Sequence, residues 1–400
     1  MEEFEQGPVG LDDAATERFA KSLLEQKMNE PFDRRQFVKR VGGALLVTGF
    51  GSSLFTAAAG AAPAKIGGKL NMVIWDGYDD KQASKGFRSK YGVTTQATYI
   101  GNNEQIFTKL RAGGVGSIDL VTPYHGYIKV LVEARLLEPL DYSRIPNAAD
   151  YFGRFARPTW NTFGGKTYSA PYIWGTDPMM YNAKFIKTAP GSWMDVLKPE
   201  YKGKVVMVDD TLGQIMVWGR VLGYRNPVRL TKAQLDNVIN LLIKIKKSQT
   251  RAFASSWGEM SDIMSRGDAW ISTGGWEAIS TFAAQKGGDI RYTHPKEGDF
   301  AWTDSWCIPK NAPNEETAYA WIDAMISPQA QAIVARNLSS GAVNRKSIKF
   351  MDAKTKGIYP YGNLAPIFAK APNFDIPPRT KGGLTTLDDW NNAWERLRAA

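Results

Sequence analysis

Three strand-then-helix alternations within residues 70–134 constrain the fold of this chain more than any other feature. Leu70-Asn71-Met72-Val73-Ile74-Trp75 is a short apolar run suited to a buried strand. Residues 81–91 follow as a helix that Gly92 ends, since glycine accepts the left-handed backbone a helix terminus needs. Residues 93–100 are β-branched and alternating, a second strand. Asn102 or Asn103 then caps a helix whose Ile106, Phe107 and Leu110 share one face. Ile118-Asp119-Leu120-Val121-Thr122 is a third strand stopped by Pro123, and Ile128, Leu131 and Ala134 mark a third helix. This alternation argues for an α/β fold with a parallel sheet covered on both faces.

The theme continues with different spacing. Residues 204–208 read as another buried strand, with Asp209-Asp210-Thr211 supplying turn and cap. Residues 230–247 form a long amphipathic helix capped by Thr231, and residues 269–275 and 290–293 add strands. Two helical segments within 314–335 break at Ser327-Pro328. Proline and glycine cluster at 357–384, before a closing helix from about Thr386.

Ahead of this lies a segment of another kind. Asp33-Arg34-Arg35-Gln36-Phe37-Val38-Lys39 holds two adjacent arginines, an aromatic and a lysine, and residues 41–64 carry no charge. Ala57-Ala58-Ala59-Gly60-Ala61-Ala62 offers the small residues of a signal-peptidase site. Basic, apolar and small in that order is the pattern of a removable twin-arginine signal. Glycines and serines at 42, 43, 49 and 51–53 make the run too polar for a spanning helix of about 20 apolar residues. Cleavage near Lys65 and delivery to the periplasm by the twin-arginine translocase are therefore expected. What remains is long enough for two lobes.

Charge and cysteine usage exclude several classes. The net charge is +10, but the basic residues are spread along the chain among 40 acids, without the clustered stripe of a nucleic-acid binder. Cys307 is alone, so no internal disulfide forms, and Trp306 and Ile308 beside it suggest a buried hydrophobe. With only His125 and His294 to join it, neither a zinc or copper site of the usual ligands nor a cofactor is expected. An exported enzyme finds no motif support: nucleophile elbow, phosphate loop and His-Glu-x-x-His are all missing.

Ligands of open parallel sheets sit beyond the carboxyl ends of the strands. Those ends hold Trp75, Asp76 and Tyr78; Tyr124 and His125; Asp210; and Ser272 and Thr273. Aromatic walls with a few carboxylates suit a flexible organic cation, through cation–π contact and charge-assisted hydrogen bonds. The competing reading makes the aromatics core and the acids helix caps, and for Asp210 both stay open.

The tract Ser169-Ala170-Pro171-Tyr172-Ile173-Trp174-Gly175 resembles the interlobe segment of periplasmic spermidine/putrescine-binding proteins. So do Lys198-Pro199-Glu200-Tyr201-Lys202-Gly203, Val208-Asp209-Asp210, Pro295-Lys296-Glu297-Gly298 and Trp302-Thr303-Asp304-Ser305, in the family's order from about Lys69 to the C-terminus. The resemblance implies a two-lobed periplasmic-binding-protein fold of type II, with a ligand cleft between lobes joined by crossing hinge segments. The lobes are expected at 65–177 plus 301–348 and at 178–300 plus 349–400. It further implies a monomer that captures a small cation and delivers it to the membrane permease of an ABC importer. By the same resemblance Trp75 and Tyr78 line the cleft, Asp304 is the central acid, Trp302 stacks on methylenes and Asp210 grips a terminal amine.

The chain also departs from that pattern. Gly213 stands where a second acid is usual, one helical turn beyond Asp210, and Ser272 where a tryptophan is, although Trp276 lies close by. Ser340 replaces a tyrosine, Thr380 a glutamine and Gly77 a glutamate, while Asp76 is a new acid next door. One charge anchor and two aromatic surfaces are thereby lost. Two readings stay open: a shorter cation, or a zwitterion derived from an amine or opine, needing fewer acids, or Asp76 as the replacement anchor. A ferric-iron binder on the same architecture would have only Tyr359 and Tyr361 as paired tyrosines.

Overall fold

The computed structural model describes residues 66–379 and 382–400. The twin-arginine motif, the uncharged run, the cleavage site and Thr380 lie outside the described residues.

The first expected unit forms as an edge-to-edge parallel sheet. β1 (Gly68–Ile74) pairs in parallel with β2 (Val93–Tyr99) on one side and with β3 (Leu120–Val121) on the other. Helix α1 (Lys85–Tyr91) connects the first two strands, and Gly92, at φ +63°, ends it in the left-handed conformation. Helix α2 (Glu104–Lys109) leads toward β3, and α3 (His125–Glu133) starts directly after it. From Met72 onward β1 is buried mostly on both faces, as its unbroken apolar run requires.

The chain then leaves this sheet through β4 (Ala170–Thr176), buried along its whole length, and turns into β5 (Met179–Asn182) of a second sheet. There follow β6 (Val205–Val208), α4 (Thr211–Val221), α5 (Lys232–Gln249), β7 (Thr250–Ala254), α6 (Trp257–Arg266), β8 (Ile271–Ser272), α7 (Ala278–Gln285) and β9 (Ile290–Thr293). The second sheet runs β9-β5-β8-β6-β7, with β5 antiparallel to both neighbours and the rest parallel. β10 (Ala301–Trp306) returns antiparallel alongside β4, and after α8 (Glu315–Met325) and α9 (Pro328–Leu338) the short β11 (Gly341–Ala342) covers its other edge. β4 and β10 thus carry the chain between the two lobes, the crossing arrangement of the type II fold.

Separate cores follow the two sheets. One gathers Leu70, Ile74, Tyr172, Trp174, Trp306 and Trp321. The other gathers Trp193, Trp218, Ile239 and Leu242 with Trp390 and Trp394 of the closing helix α10 (Leu387–Ala399). Trp302 packs against both. One expected boundary does not match this packing. Residues 349–400 were assigned whole to the second lobe, yet Met351, Tyr359, Tyr361, Phe368 and Ala371 sit in the first core. Their aromatic rings meet Trp174, whose ring lies 4.3 Å from Tyr359 and 4.8 Å from Phe368. The proline- and glycine-rich composition of that tract hid these anchors.

Candidate functional site

A cleft of about 910 Å³ opens where the strand ends of both sheets meet β10. Its described lining includes seven carboxylates and one guanidinium, which makes it an anionic cavity. Trp75, Asp76, Tyr78, Tyr124, Asp210, Trp276, Trp302 and Asp304 all reach it.

Asp304 occupies the middle of β10, where its backbone bridges to Tyr124, and it is 7% exposed. The Tyr78 hydroxyl donates to its Oδ2. Burial pushes the carboxyl up to about 7, against the smaller lowering by that hydrogen bond. Tyr78 is placed edge-on to Tyr172 at 5.4 Å, and the Tyr172 hydroxyl donates to the Tyr78 carbonyl at 3.0 Å. Trp302 and Trp276 meet edge to face at 6.3 Å. Trp302 fits only because residue 175 is glycine: a Cβ there would stand 2.7 Å from its Cε2.

Asp210 combines two placements. Its side chain caps α4 by accepting from Gly213 N at 3.2 Å, and it lines the cleft as well. Burial raises its carboxyl to about 6, with Asp209 adding repulsion. Asp209, also on the lining, accepts from Trp394 Nε1 at 2.7 Å and pairs with Arg398. Arg398, the lining cation, is held there by Asp209 and Glu395.

Three expected site residues, besides the buried Thr273 next to Ser272, are not on the lining, for local reasons. His125 is the first residue of α3 and turns into the core behind Tyr124, with ring centroids 4.1 Å apart; its Nδ1 accepts from Thr303 N. Burial drives its imidazole down to about 3, so it is neutral. Ser272 spends its hydroxyl on the Met180 backbone, accepting from the amide at 2.9 Å. Ser340 is buried and donates to the Leu338 carbonyl. Tyr359 and Tyr361 are buried in the first core, away from the lining, and among the described residues no cluster of three or more His, Cys, Asp or Glu is arranged to hold a metal ion. Cys307 is free and buried, as its neighbours suggested.

The sequence reading missed other lining residues, of which Glu104, Trp257 and Asp177 matter most. Glu104 accepts from the Tyr127 hydroxyl. Asp177 is 4% exposed, follows β4 directly, and accepts from Gly275 N at 2.6 Å through Oδ1. Applying the strand-end rule to the interlobe segment would have found it. Gly77 also has a reason: it adopts φ +82°, and a Cβ there would come within 2.8 Å of Leu338 Cδ2. Leu338 thus fills the space of the glutamate expected beside the first aromatic pair.

Comparison with known proteins follows the same lines. The profile of the family described as bacterial extracellular solute-binding protein matches residues 82–357. The spermidine/putrescine-binding periplasmic protein of Escherichia coli (strain K12) is 26% identical over 304 residues, 75% of this chain and 85% of its own. The putrescine-binding periplasmic protein SpuD of Pseudomonas aeruginosa (strain UCBPP-PA14) is 25% identical over 385 residues, 90% of this chain and 99% of its own. In fold, the chain is similar to the spermidine/putrescine ABC transporter substrate-binding protein PotD from Streptococcus pneumoniae, with TM-score 0.67 at 23% identity over 83% of this chain and 97% of that one. With a family match over more than half of its length, the chain belongs to the bacterial extracellular solute-binding proteins, which bind a solute rather than transform it.

Proposed function

We propose that this protein captures a small, polyamine-like organic cation in the aromatic and acidic cleft and presents it to a membrane permease. The observation that carries the reading is the imbalance of the lining, seven carboxylates against a single guanidinium already engaged by two of them. Buried acids without a basic partner are costly, and an ammonium supplies the missing charge. The tryptophan and tyrosine faces suit the methylenes between charges. Trp75, Tyr78, Trp276 and Trp302 serve as walls in this reading, and Asp304 and Asp210 as anchors.

In the same reading residues 66–177 and 301–371 make one lobe, and residues 178–300 with the C-terminal helix make the other. β4 and β10 act as the hinge, and the protein works as a monomer. Closure on the ligand buries it and forms the surface the permease recognises. Export through the twin-arginine route rests on Arg34-Arg35 and the uncharged run behind them; replacing both arginines by lysine should leave the protein in the cytoplasm.

The test is a thermal-shift panel on protein recovered from the periplasm, with putrescine, cadaverine, spermidine, γ-aminobutyrate, a betaine and Fe(III). A raised melting temperature with an organic cation supports the reading, because a ligand that binds only the folded state stabilises it by mass action. A response confined to Fe(III), or to none of the six, removes it. Arg398 on the lining favours a second reading, an amine-derived zwitterion whose carboxylate meets the guanidinium, and γ-aminobutyrate tests it.

A further inference from the structure

The space beside Gly213 is already occupied by an acid. A Cβ built on Gly213 would stand 2.6 Å from Asp177 Oδ2 and closer still to Asp210 Oδ2. The carboxylate that a longer residue at 213 would have supplied from the helix is therefore delivered from the hinge strand instead. Asp177 is fixed for that position: Gly275 N holds its Oδ1, while its Oδ2 points toward Gly213 and accepts no hydrogen bond from a described residue. Gly275 is tightly constrained in turn, since a Cβ there would meet Met180 Cγ at 2.5 Å.

A second observation points to a ligand at this spot. Asp177 and Asp210 both line the cleft, and Asp177, although buried, leaves its Oδ2 without a hydrogen-bond partner among the described residues. Two carboxylates are an acceptor-rich pair, and a primary ammonium brings three donors and a positive charge. A ligand carboxylate at the same spot would face only repulsion. Asp76, the acid considered as a replacement from sequence, is exposed and a weaker anchor than a buried one.

Resting on the cation-capture reading above, we propose that Asp177 is the specificity-determining residue of this cleft. With Asp210 it forms a second ammonium site beside the one at Asp304, so the preferred ligand is an α,ω-diamine and not a zwitterion. The side chain touches ligand directly and discriminates by charge.

The test is calorimetric titration of the whole protein, wild type and Asp177→Asn, using putrescine, butylamine and γ-aminobutyrate. Asp177→Asn keeps the carbonyl that accepts from Gly275 N and removes the charge. It should weaken putrescine by about 30-fold, the value of one charge-assisted contact, and leave butylamine within about threefold. γ-Aminobutyrate should bind the variant no more weakly than it binds wild type. Equal losses for putrescine and butylamine, or an unchanged putrescine affinity, would overturn the assignment while leaving cation capture standing. A wild-type protein that binds neither amine would overturn cation capture itself, and this proposal with it.

Discussion

The three cleft acids make binding depend on pH in a direction opposite to ligand-free stability. Asp304 titrates at about 7 and Asp210 at about 6, both raised by burial, and Asp177 is raised as well, by burial and by its neighbour Asp210. A protonated carboxyl offers an ammonium no charge, so each acid must lose its proton for the cation to dock. If the complex keeps Asp304 and Asp210 ionised, their titration alone strengthens binding about 20-fold between about pH 6 and about pH 8, or about 2 kcal/mol. The amine, with a reference value near that of lysine at about 10.4, stays charged throughout. Near pH 6.5 the same two groups release about one proton per ligand bound. Titrating putrescine in two buffers of different ionisation heat measures that proton directly. An affinity that is flat in pH, or that grows toward acid, would refute the reasoning.

Ligand-free stability should run the other way. A carboxyl whose value is raised in the fold binds more protons folded than unfolded, so stability falls as pH rises through the raised value. Glu277 joins Asp304 here: it is buried, accepts from the Thr176 amide and hydroxyl, and is pushed up to about 7. The ligand-free melting temperature should therefore drop between about pH 6.5 and about pH 8, and saturating diamine should remove the part of the drop that Asp304 causes. Below about pH 6.5 His125 works against this trend, because an imidazole held neutral at about 3 costs stability as acid charges the unfolded chain.

Three substitutions test the architecture. Asp304→Ala should abolish detectable diamine binding, a loss of about 100-fold or more, and lower the melting temperature by no more than about 5 °C at neutral pH, because the partner it loses is the Tyr78 hydroxyl and not a cation; retained affinity would reject Asp304 as an anchor. Gly175→Ala drives a methyl against Trp302 and should cost about 1–3 kcal/mol in chemical denaturation while weakening diamine binding, and a variant normal in both would show that Trp302 is not a fixed wall. Thr231→Ala removes half of the capping box that Thr231 and Gln234 form at the start of α5, and should lower stability by about 1 kcal/mol with ligand affinity unchanged.

Much of the scaffold was legible because its signals are local. The runs at 70–75 and 93–100 became β1 and β2 within a residue or two, and Thr231 caps the helix it was expected to cap. Local signals ran out where tertiary contacts decide. The run at 118–122 pairs as a strand only at Leu120 and Val121, although Asp119 still donates its amide to Asn71 O at 2.8 Å while its carboxylate accepts from the amides of Asn71 and Asn314. The strand-end rule picked Tyr124 and His125 together, yet one step along a chain entering a helix sends neighbouring side chains to different sides. Tyr124 faces the cleft and His125 the core.

The same limit governs the anchors. Read along the chain, glycine at 213 counts as an acid removed, because the residue types that could compensate are judged by their own position in the order of motifs. Space does not respect that order. Asp177 lies 36 positions away in sequence, on the hinge strand's end and not on the helix, and its approach is fixed by Gly275, farther along still. Only a small residue at 213 leaves room for it: any side chain there would collide with Asp177 and with the Asp210 cap at once. Gly213 and Asp177 are therefore one feature, a vacated position and its occupant. Gly213 therefore cannot be substituted alone, since a glutamate restored there with Asp177 in place would crowd a third carboxylate against two others, at the cost that unpaired buried charges carry.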